Sequence, residues 1–311
     1  TLKQFNPREI IVFSRDEMKQ WNMAKLWSGD SRVRFVIGDV RDQDALRVAF
    51  RGVDLVVHAA ATKIVPTAEY NPLECVKTNI DGAKNVIDAS IFNRVKKVVA
   101  LSTDKASNPF NLYGATKLVS DKLFVAANLL SLEGESQFSV VRYGNVLGSR
   151  GSVVPHFLEL IGSGAQELPI TDTQMTRFMI SLDIAVELVW LAFNDMLGGE
   201  IYVKKVPSMK VVDVARALAP TAKHKIIGIR EGEKIHEQMI SKEDAPFTYE
   251  YSGYYKVLPS VNQLFKDALR VKDGVRVEPD FIYESSSNHH WMTCDELCRW
   301  VERNKNKIGI L

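Results

Sequence analysis

Residues 97–117 read KVVALSTDKASNPFNLYGATK. The first five are almost continuous in Val, Ala and Leu, the composition of a strand covered on both faces, and from Leu112 the spacing becomes helical. Between the two, Ser102-Thr103-Asp104-Lys105 stands just past the strand's carboxyl end, where open α/β sheets place their ligands. Tyr113 and Lys117 are i and i+4 and share a helical face. An ammonium beside a phenol favours the phenolate and draws its pKa down from about 10. Such a phenol can serve as a base for a sugar or alcohol hydroxyl. A Tyr-x-x-x-Lys pair is also compatible with an amphipathic helix carrying a snorkelling lysine, so the preceding strand supplies the context.

Working outward, runs 9–13, 33–37, 53–57 and 138–142 repeat the strand composition. Helical stretches 42–50, 72–92 and 112–132 fill the gaps, with Asp42 as an N-cap and Pro72 in a first turn. The alternation predicts an α/β fold with a doubly wound, Rossmann-type parallel sheet. After Gly144, glycines at 148, 151, 162 and 164 break the chain into short elements. The expected organisation is a nucleotide-binding domain of residues 1–145 with 178–206, and a smaller α/β substrate domain of 146–177 with 207–311. In the first, 178–193 reads as a returning helix and 200–203 as a strand beside it; in the second, 285–288 is loop and 294–304 a terminal helix. The strand, glycine-rich turn and helix that normally open such a fold are not found, and the reading is that roughly 30 residues, the size of a βα unit, precede this sequence in the natural protein. The other reading is that part of the cofactor site has been lost.

Composition excludes other classes. The 311 residues are 46% hydrophobic, and 40 Lys+Arg against 38 Asp+Glu give a net charge of +2 with the two signs interspersed. That leaves no electrostatic footprint for nucleic acid. The apolar run 185–193 contains Glu187 and is far shorter than the roughly 20 residues a bilayer requires. Three cysteines form no disulfide framework, and with no apolar leader the expectation is a cytoplasmic protein that does not enter membranes. His289, His290, Cys294 and Cys298 lie close together, but their spacing fits no closed zinc site, so no metal is expected.

The other strand ends carry further candidates. Ser14-Arg15-Asp16 offers a hydroxyl and a guanidinium where an NAD site would place an acid on the ribose, which points to a 2′-phosphate and to NADP. Asp39, followed by Val40, is placed to accept from an adenine amino group. After the third strand, Ala59 and Ala60 are small enough for a cofactor to approach the backbone.

At this point the sequence resembles the extended short-chain dehydrogenases/reductases, and among them the inverting UDP-N-acetylglucosamine 4,6-dehydratases of pseudaminic acid synthesis. The matching segments are FSRDEMKQ (13–20), HAAATKIVPTAEYNPLECVKTNIDGAKNVIDA (58–89), LSTDKASNPFNLYGATKLVSDKLFVAAN (101–128), VVRYGNVLGSRGSVVPHF (140–157), LPITDTQMTRFMISL (168–182), GGEIYVKKVPSMKVVDVA (198–215) and IIGIREGEKIHEQMIS (226–241). Retaining dehydratases typically have Asp-Glu at the Asp104-Lys105 position, and related dehydratase/epimerases of capsule synthesis tend to have Met at the Tyr113 position.

The resemblance implies a role for each candidate. Tyr113, assisted by Lys117, takes the C4 hydroxyl proton, and Thr103 supports the C4 oxygen. Lys105 in its neutral form removes the C5 proton, and Asp104 in its acid form protonates the departing C6 hydroxyl. Desolvation would move both groups in the needed direction, whereas a simple Asp–Lys ion pair would do the reverse. Glu17, Lys19, Thr78, Ser102 and Val146 join the cofactor contacts, Lys63 is shared with substrate, and Asn145, Arg150, Gly151, Ser152, Val153 and Asn288 contact the sugar nucleotide. Arg177 and Arg230 are assigned to the diphosphate, which suits forked donors. The resemblance further implies a tightly held, regenerated NADP and a homo-oligomer built on dimers, up to a hexamer. The alternatives are a dehydratase/5-epimerase of capsule or O-antigen synthesis, and a non-catalytic NADP-binding or oligomer partner.

Overall fold

The computed structural model describes residues 1–131, 135–260 and 268–309. A short helix α1 (Leu2–Phe5) leads into β1 (Ile10–Ser14), α2 (Glu17–Leu26), β2 (Val33–Ile37) and α3 (Gln43–Ala49). Then follow β3 (Leu55–His58), α4 (Val65–Tyr70), α5 (Pro72–Val76), α6 (Gly82–Phe92), β4 (Lys97–Thr103), α7 (Leu112–Ala127) and β5 (Gln137–Tyr143). β4 and β5 are buried along almost their whole length and carry Val98, Val99, Phe138, Val140 and Val141, each fully enclosed. Covered on both faces by helices, they can be parallel neighbours. Asp42 caps α3 by accepting from the Ala45 amide at 2.9 Å, as its sequence predicts.

The expected helix 72–92 contains an interruption. Lys77–Asp81 form a π turn between α5 and α6, a wider turn that redirects side chains and recurs at functional sites. Here it buries Thr78 and Asn79. α7 ends at Ala127 rather than near 132; Leu132 itself lies outside the described residues.

Beyond Tyr143 come β6 (Asn145–Val146), α8 (Val153–Gly162), β7 (Glu167–Ile170), β8 (Thr176–Ile180), α9 (Leu182–Asp195), β9 (Ile201–Lys204), β10 (Ser208–Lys210), α10 (Val211–Leu218) and β11 (Lys223–Ile226). The start of the predicted helix 178–193 is corrected. Every residue of β8 is buried, so the run is a two-faced strand, and Ser181 caps the helix that follows by accepting from the Ile184 amide. The remaining elements are β12 (Gln238–Ile240), β13 (Thr248–Glu250), β14 (Tyr254–Val257), β15 (Val275–Arg276), β16 (Tyr283–Glu284) and α11 (Cys294–Asn304).

The largest sheet has the order β15-β13-β14-β9-β5-β4-β3. β3, β4, β5 and β9 are parallel, and β14, β13 and β15 extend them in antiparallel fashion. Residues 248–257 and 275–276, expected in the smaller domain, are therefore paired into this largest sheet. Their hairpin covers the edge that β9 would otherwise expose. Residues 145–180 and 208–226 build smaller sheets, β10-β8-β6 and β11-β7, so that 178–180, expected in the first domain, pair with strands of the second. These pack with α8, α10 and α11 around Leu147, Phe157, Leu168, Met179, Val214 and Leu297.

Candidate active site

The site lies where β4 stops and α7 begins. Asn111 caps α7 by accepting from the Gly114 amide at 2.7 Å, and its side-chain nitrogen donates to Gly232 O at 2.7 Å. A Cβ at position 114 would sit 2.2 Å from the carbonyl oxygen of Lys105, so only glycine lets α7 approach the Asp104–Ala106 turn this closely. Gly144 does the same from β5, where a Cβ would lie 2.5 Å from Phe178 Cβ and 3.3 Å from Asp104 Oδ2. Thr103 accepts from the Lys105 amide, and its hydroxyl donates to Asp104 Oδ1 at 2.9 Å.

Lys105 Nζ stands 3.0 Å from Asp104 Oδ1 and 3.1 Å from Glu237 Oε1. Burial alone would lower the Lys105 pKa, but the charges of Asp104 and Glu237 outweigh it and hold the amine well above its ordinary range. The expected depression of Lys105 is thus overturned for this state: opposite charges at hydrogen-bond distance favour the ammonium. Tyr113 also departs from expectation. Burial pushes its phenol up to about 12, with the Lys105 charge and the neighbouring Thr103 side chain pulling partly back. The cation acting most strongly on it is Lys105 rather than Lys117, whose own pKa is lowered by burial.

At the carboxyl ends of β1 and β3 the chain leaves an open cleft, continuous with the apolar gap that separates the β1-β2 pair from β3. Ser14, Arg15, Asp16, Lys19, Asp39, Val40, Ala59, Ala60 and Thr78 all line it. Asp16 is occupied as the cap of α2, accepting from the Lys19 amide at 2.9 Å. Asp39 pairs with Arg41 at 2.7 Å and more loosely with Arg15 at 3.6 Å. Glu17 is exposed in the first turn of α2, outside this lining. The π turn is held to the segment after β3 and to α7 by Asn79, whose side chain accepts from the Thr62 amide at 2.8 Å and donates to Thr62 O and to Thr116 Oγ1.

Other candidates are engaged differently from expectation. Ser102 donates to Asp121 Oδ2 at 2.8 Å, on the opposite side of β4 from Thr103. Arg177 is buried, and its guanidinium donates to Thr176 O, Ile235 O and Lys234 O; these bonds anchor the 234–237 segment rather than leaving a fork for a diphosphate. The Asn288 side chain donates to Val206 O and Ser208 Oγ and accepts from the His290 amide, so it ties a loop together. Arg230 is exposed, 3.7 Å from Glu233. Lys63 Nζ reaches Arg150 O at 3.5 Å. Gly151 has φ +75°, Ser152 caps α8 by position, and Val153 opens that helix. Val146 pairs with Ile180 in β8, while Asn145 Oδ1 and Ser152 Oγ are buried without a hydrogen-bond partner. Among the described residues no group of His, Cys, Asp or Glu is gathered as for a metal ion, and no helix is long and apolar enough to cross a membrane.

Residues 1–259 match the family described as polysaccharide biosynthesis protein. The chain belongs to this family. An inverting UDP-N-acetylglucosamine 4,6-dehydratase from Campylobacter jejuni subsp. jejuni serotype O:2 is 56% identical over 310 residues, covering 98% of this chain and 92% of its own. A UDP-glucose 4-epimerase from Rickettsia akari is 45% identical over 254 residues, 80% of this chain and 74% of its own. Among solved structures, Pen from Bacillus thuringiensis superposes with a TM-score of 0.88 at 32% identity, over 98% of this chain and 92% of that one. DesIV from Streptomyces venezuelae, a dTDP-glucose 4,6-dehydratase, shares the fold with a TM-score of 0.68 at 20% identity, over 97% and 89%. The polysaccharide biosynthesis family is thus built here on the Rossmann-type scaffold that residues 97–117 predict.

Two residues that position the site escaped sequence reasoning: Glu237, in a quoted segment from which only Arg230 was assigned, and Asn79. A polar residue inside an otherwise helical apolar pattern was the available signal for Asn79.

Proposed function

We propose that the chain removes water from UDP-N-acetylglucosamine through a 4-keto sugar, with inversion at C5, yielding the 2-acetamido-2,6-dideoxy-4-keto-L-arabino-hexose nucleotide that leads to pseudaminic acid. The observation that carries the reading is the gathering of Thr103, Asp104, Lys105 and Tyr113 at one strand end, in a chain 56% identical to an inverting dehydratase of that specificity.

The cavity beside β1 suits a dinucleotide. Ala59 and Ala60 leave room against the backbone, Arg15 and Lys19 bring positive charge to its rim, and the Asp16 carboxylate is engaged in the α2 cap. That combination favours a 2′-phosphate and hence NADP. A nicotinamide cofactor held there would supply hydride exchange at C4 and C6. Tyr113 takes the C4 hydroxyl proton, and the Thr103 hydroxyl, next to it, supports the C4 oxygen. Ketone formation acidifies C5, Lys105 removes that proton, and Asp104 delivers one to the leaving C6 hydroxyl.

The test is NMR of UDP-N-acetylglucosamine incubated in deuterated water with the full-length protein and NADP⁺. A 6-deoxy-4-keto product deuterated and inverted at C5 is expected; a product with retained C5 would refute the inverting assignment. The epimerase relatives support a second reading, C4 epimerisation, which would leave the C6 oxygen in place.

A further inference from the structure

Glu237 is 2% exposed, yet only one of its carboxylate oxygens has a partner. Oε1 meets Lys105 Nζ at 3.1 Å and lies 3.9 Å from Arg177 Nε, while Oε2 is buried without a hydrogen bond. Its backbone is fixed from both sides. The Glu237 amide donates to Ser285 Oγ and its carbonyl accepts from the Ser285 amide. Just upstream, Arg177 binds Ile235 O and Lys234 O, and Thr176 Oγ1 meets His236 Nδ1 at 2.9 Å. Ser285 and the Arg177 anchor therefore hold this carboxylate against the amine, and the arrangement leaves one oxygen with nothing to do in the resting state.

The dehydration chemistry meets an obstacle that this carboxylate removes, through the Oε1 that faces Lys105. Between two carboxylates Lys105 rests as an ammonium, and an ammonium cannot take a proton from C5. Asp104 Oδ1 already accepts from both Thr103 and Lys105, so its anion is the better stabilised of the two. Each carboxylate keeps one buried oxygen without a hydrogen bond, Asp104 Oδ2 and Glu237 Oε2, but Glu237 Oε1 faces Lys105 at 3.1 Å without the hydroxyl bond that Thr103 gives Asp104.

We propose that Glu237 is the positioning residue that discharges Lys105: when substrate closes the pocket to water, one proton moves from Lys105 Nζ to Glu237, converting an ammonium–carboxylate pair into a neutral amine and a carboxylic acid. No electrons are exchanged and no co-reactant is needed. Loss of solvent favours the neutral pair because isolated charges are costly in a low-dielectric site. The freed amine then takes the C5 proton and passes it across 3.0 Å to Asp104 Oδ1, from which it goes to the departing C6 hydroxyl and leaves as water, while Glu237 retains its proton until the pocket reopens.

This inference rests on the dehydratase reading, and the experiment separates the two. Single turnovers of UDP-N-acetylglucosamine with the NADP⁺ holoenzyme are followed at two points: reduced-nicotinamide absorbance, which reports ketone formation, and deuterium wash-in at C5 with water loss, which reports the later step. Glu237→Gln keeps the shape but cannot accept the proton. It is expected to form the ketone within threefold of the wild-type rate while water loss falls at least 100-fold, and Glu237→Asp is expected to recover at least tenfold of that loss. A purely structural role would slow both steps together and would not split them. Water loss within threefold of wild type in Glu237→Gln would overturn the proposal, as would equal slowing of both steps in the Gln and Asp variants. A wild-type enzyme that forms no ketone would instead overturn the dehydratase reading on which it stands.

Discussion

Glu200 and Glu237 are both almost completely buried, at 1% and 2% exposure, and each faces a cation. Around Glu200 every lone pair direction is used. Oε1 meets Arg270 at 2.6 Å and the Leu197 amide, and Oε2 accepts from Ser139 and the Gly198 amide. Glu237 meets Lys105 at 3.1 Å and, more loosely, Arg177 at 3.9 Å with one oxygen, and leaves the other empty. The first carboxylate is locked into its charged form by four donors, which is how a buried ion pair becomes part of the framework. The second is poised so that a proton can arrive without breaking any bond it already makes. Burial is the same in both, and the count of partners is what separates a structural carboxylate from a reactive one.

The sharpest way to break this comparison is at the cation that Glu237 serves. Lys105→Ala should reduce water loss by at least about 1000-fold, roughly 4 kcal/mol of transition-state stabilisation, while the variant keeps its circular dichroism spectrum; retained dehydration would remove the reason for Glu237 to be there. Tyr113→Phe should stop the earlier step, with reduced-nicotinamide formation in a single turnover slowed about 100-fold or more. An undiminished burst would show that another group takes the C4 proton. Glu200→Gln should behave in the opposite way to Glu237→Gln. Arg270 would be left without its counter-charge, and breaking a buried pair costs about 3 kcal/mol of stability, seen as a lower urea midpoint, while the ratio of ketone formation to water loss stays at the wild-type value. If Glu200→Gln changed that ratio, the partner count would not distinguish the two carboxylates.

Much of this was legible before any coordinates. β4 and β5 announce themselves because a strand buried on both faces must be written in Val, Phe and Leu, and the Thr103-Asp104-Lys105 and Tyr113 positions follow from their place at a strand end and a helix start. The misread residues share a physical cause. Arg177 and Asn288 are polar groups whose partners are backbone carbonyls of Lys234, Ile235 and Val206, and no local pattern records which carbonyl a side chain will meet. The signal for Arg177 was its position inside the apolar run of β8, where a guanidinium must be satisfied by the protein itself. Lys105 was read with burial as the dominant influence because its neighbour Asp104 was visible and Glu237, remote in sequence, was not. The β13–β15 extension of the sheet was missed because edge pairing depends on which strand is left open, a property of the assembled sheet.

The smallest effect tests the rule from its other side. His58, at the end of β3, is buried and has Nε2 without a partner, so it shares the empty acceptor of Glu237 but has no opposite charge against it. Burial, with Lys117 nearby, draws its pKa down to about 3. In the unfolded chain the imidazole titrates near 6.5. Between those values the unfolded state binds the extra proton and the folded state does not, so stability is fully present above pH 6.5 and falls as the pH drops through the interval towards 3. The slope is about 1.4 kcal/mol per pH unit once the unfolded histidine is mostly charged. His58→Phe keeps a ring against Phe124, which lies tilted to the histidine at a centroid distance of 5.4 Å, and removes the titration. Denaturant unfolding at pH 6, 5 and 4 should therefore show wild type losing stability more steeply than His58→Phe by about that slope, with the two converging on a constant difference at pH 7 and above. Parallel curves would mean that the folded protein accommodates the charged imidazole. An empty buried acceptor would then be no guide to where a proton cannot go, and the vacant oxygen of Glu237 would lose the meaning assigned to it.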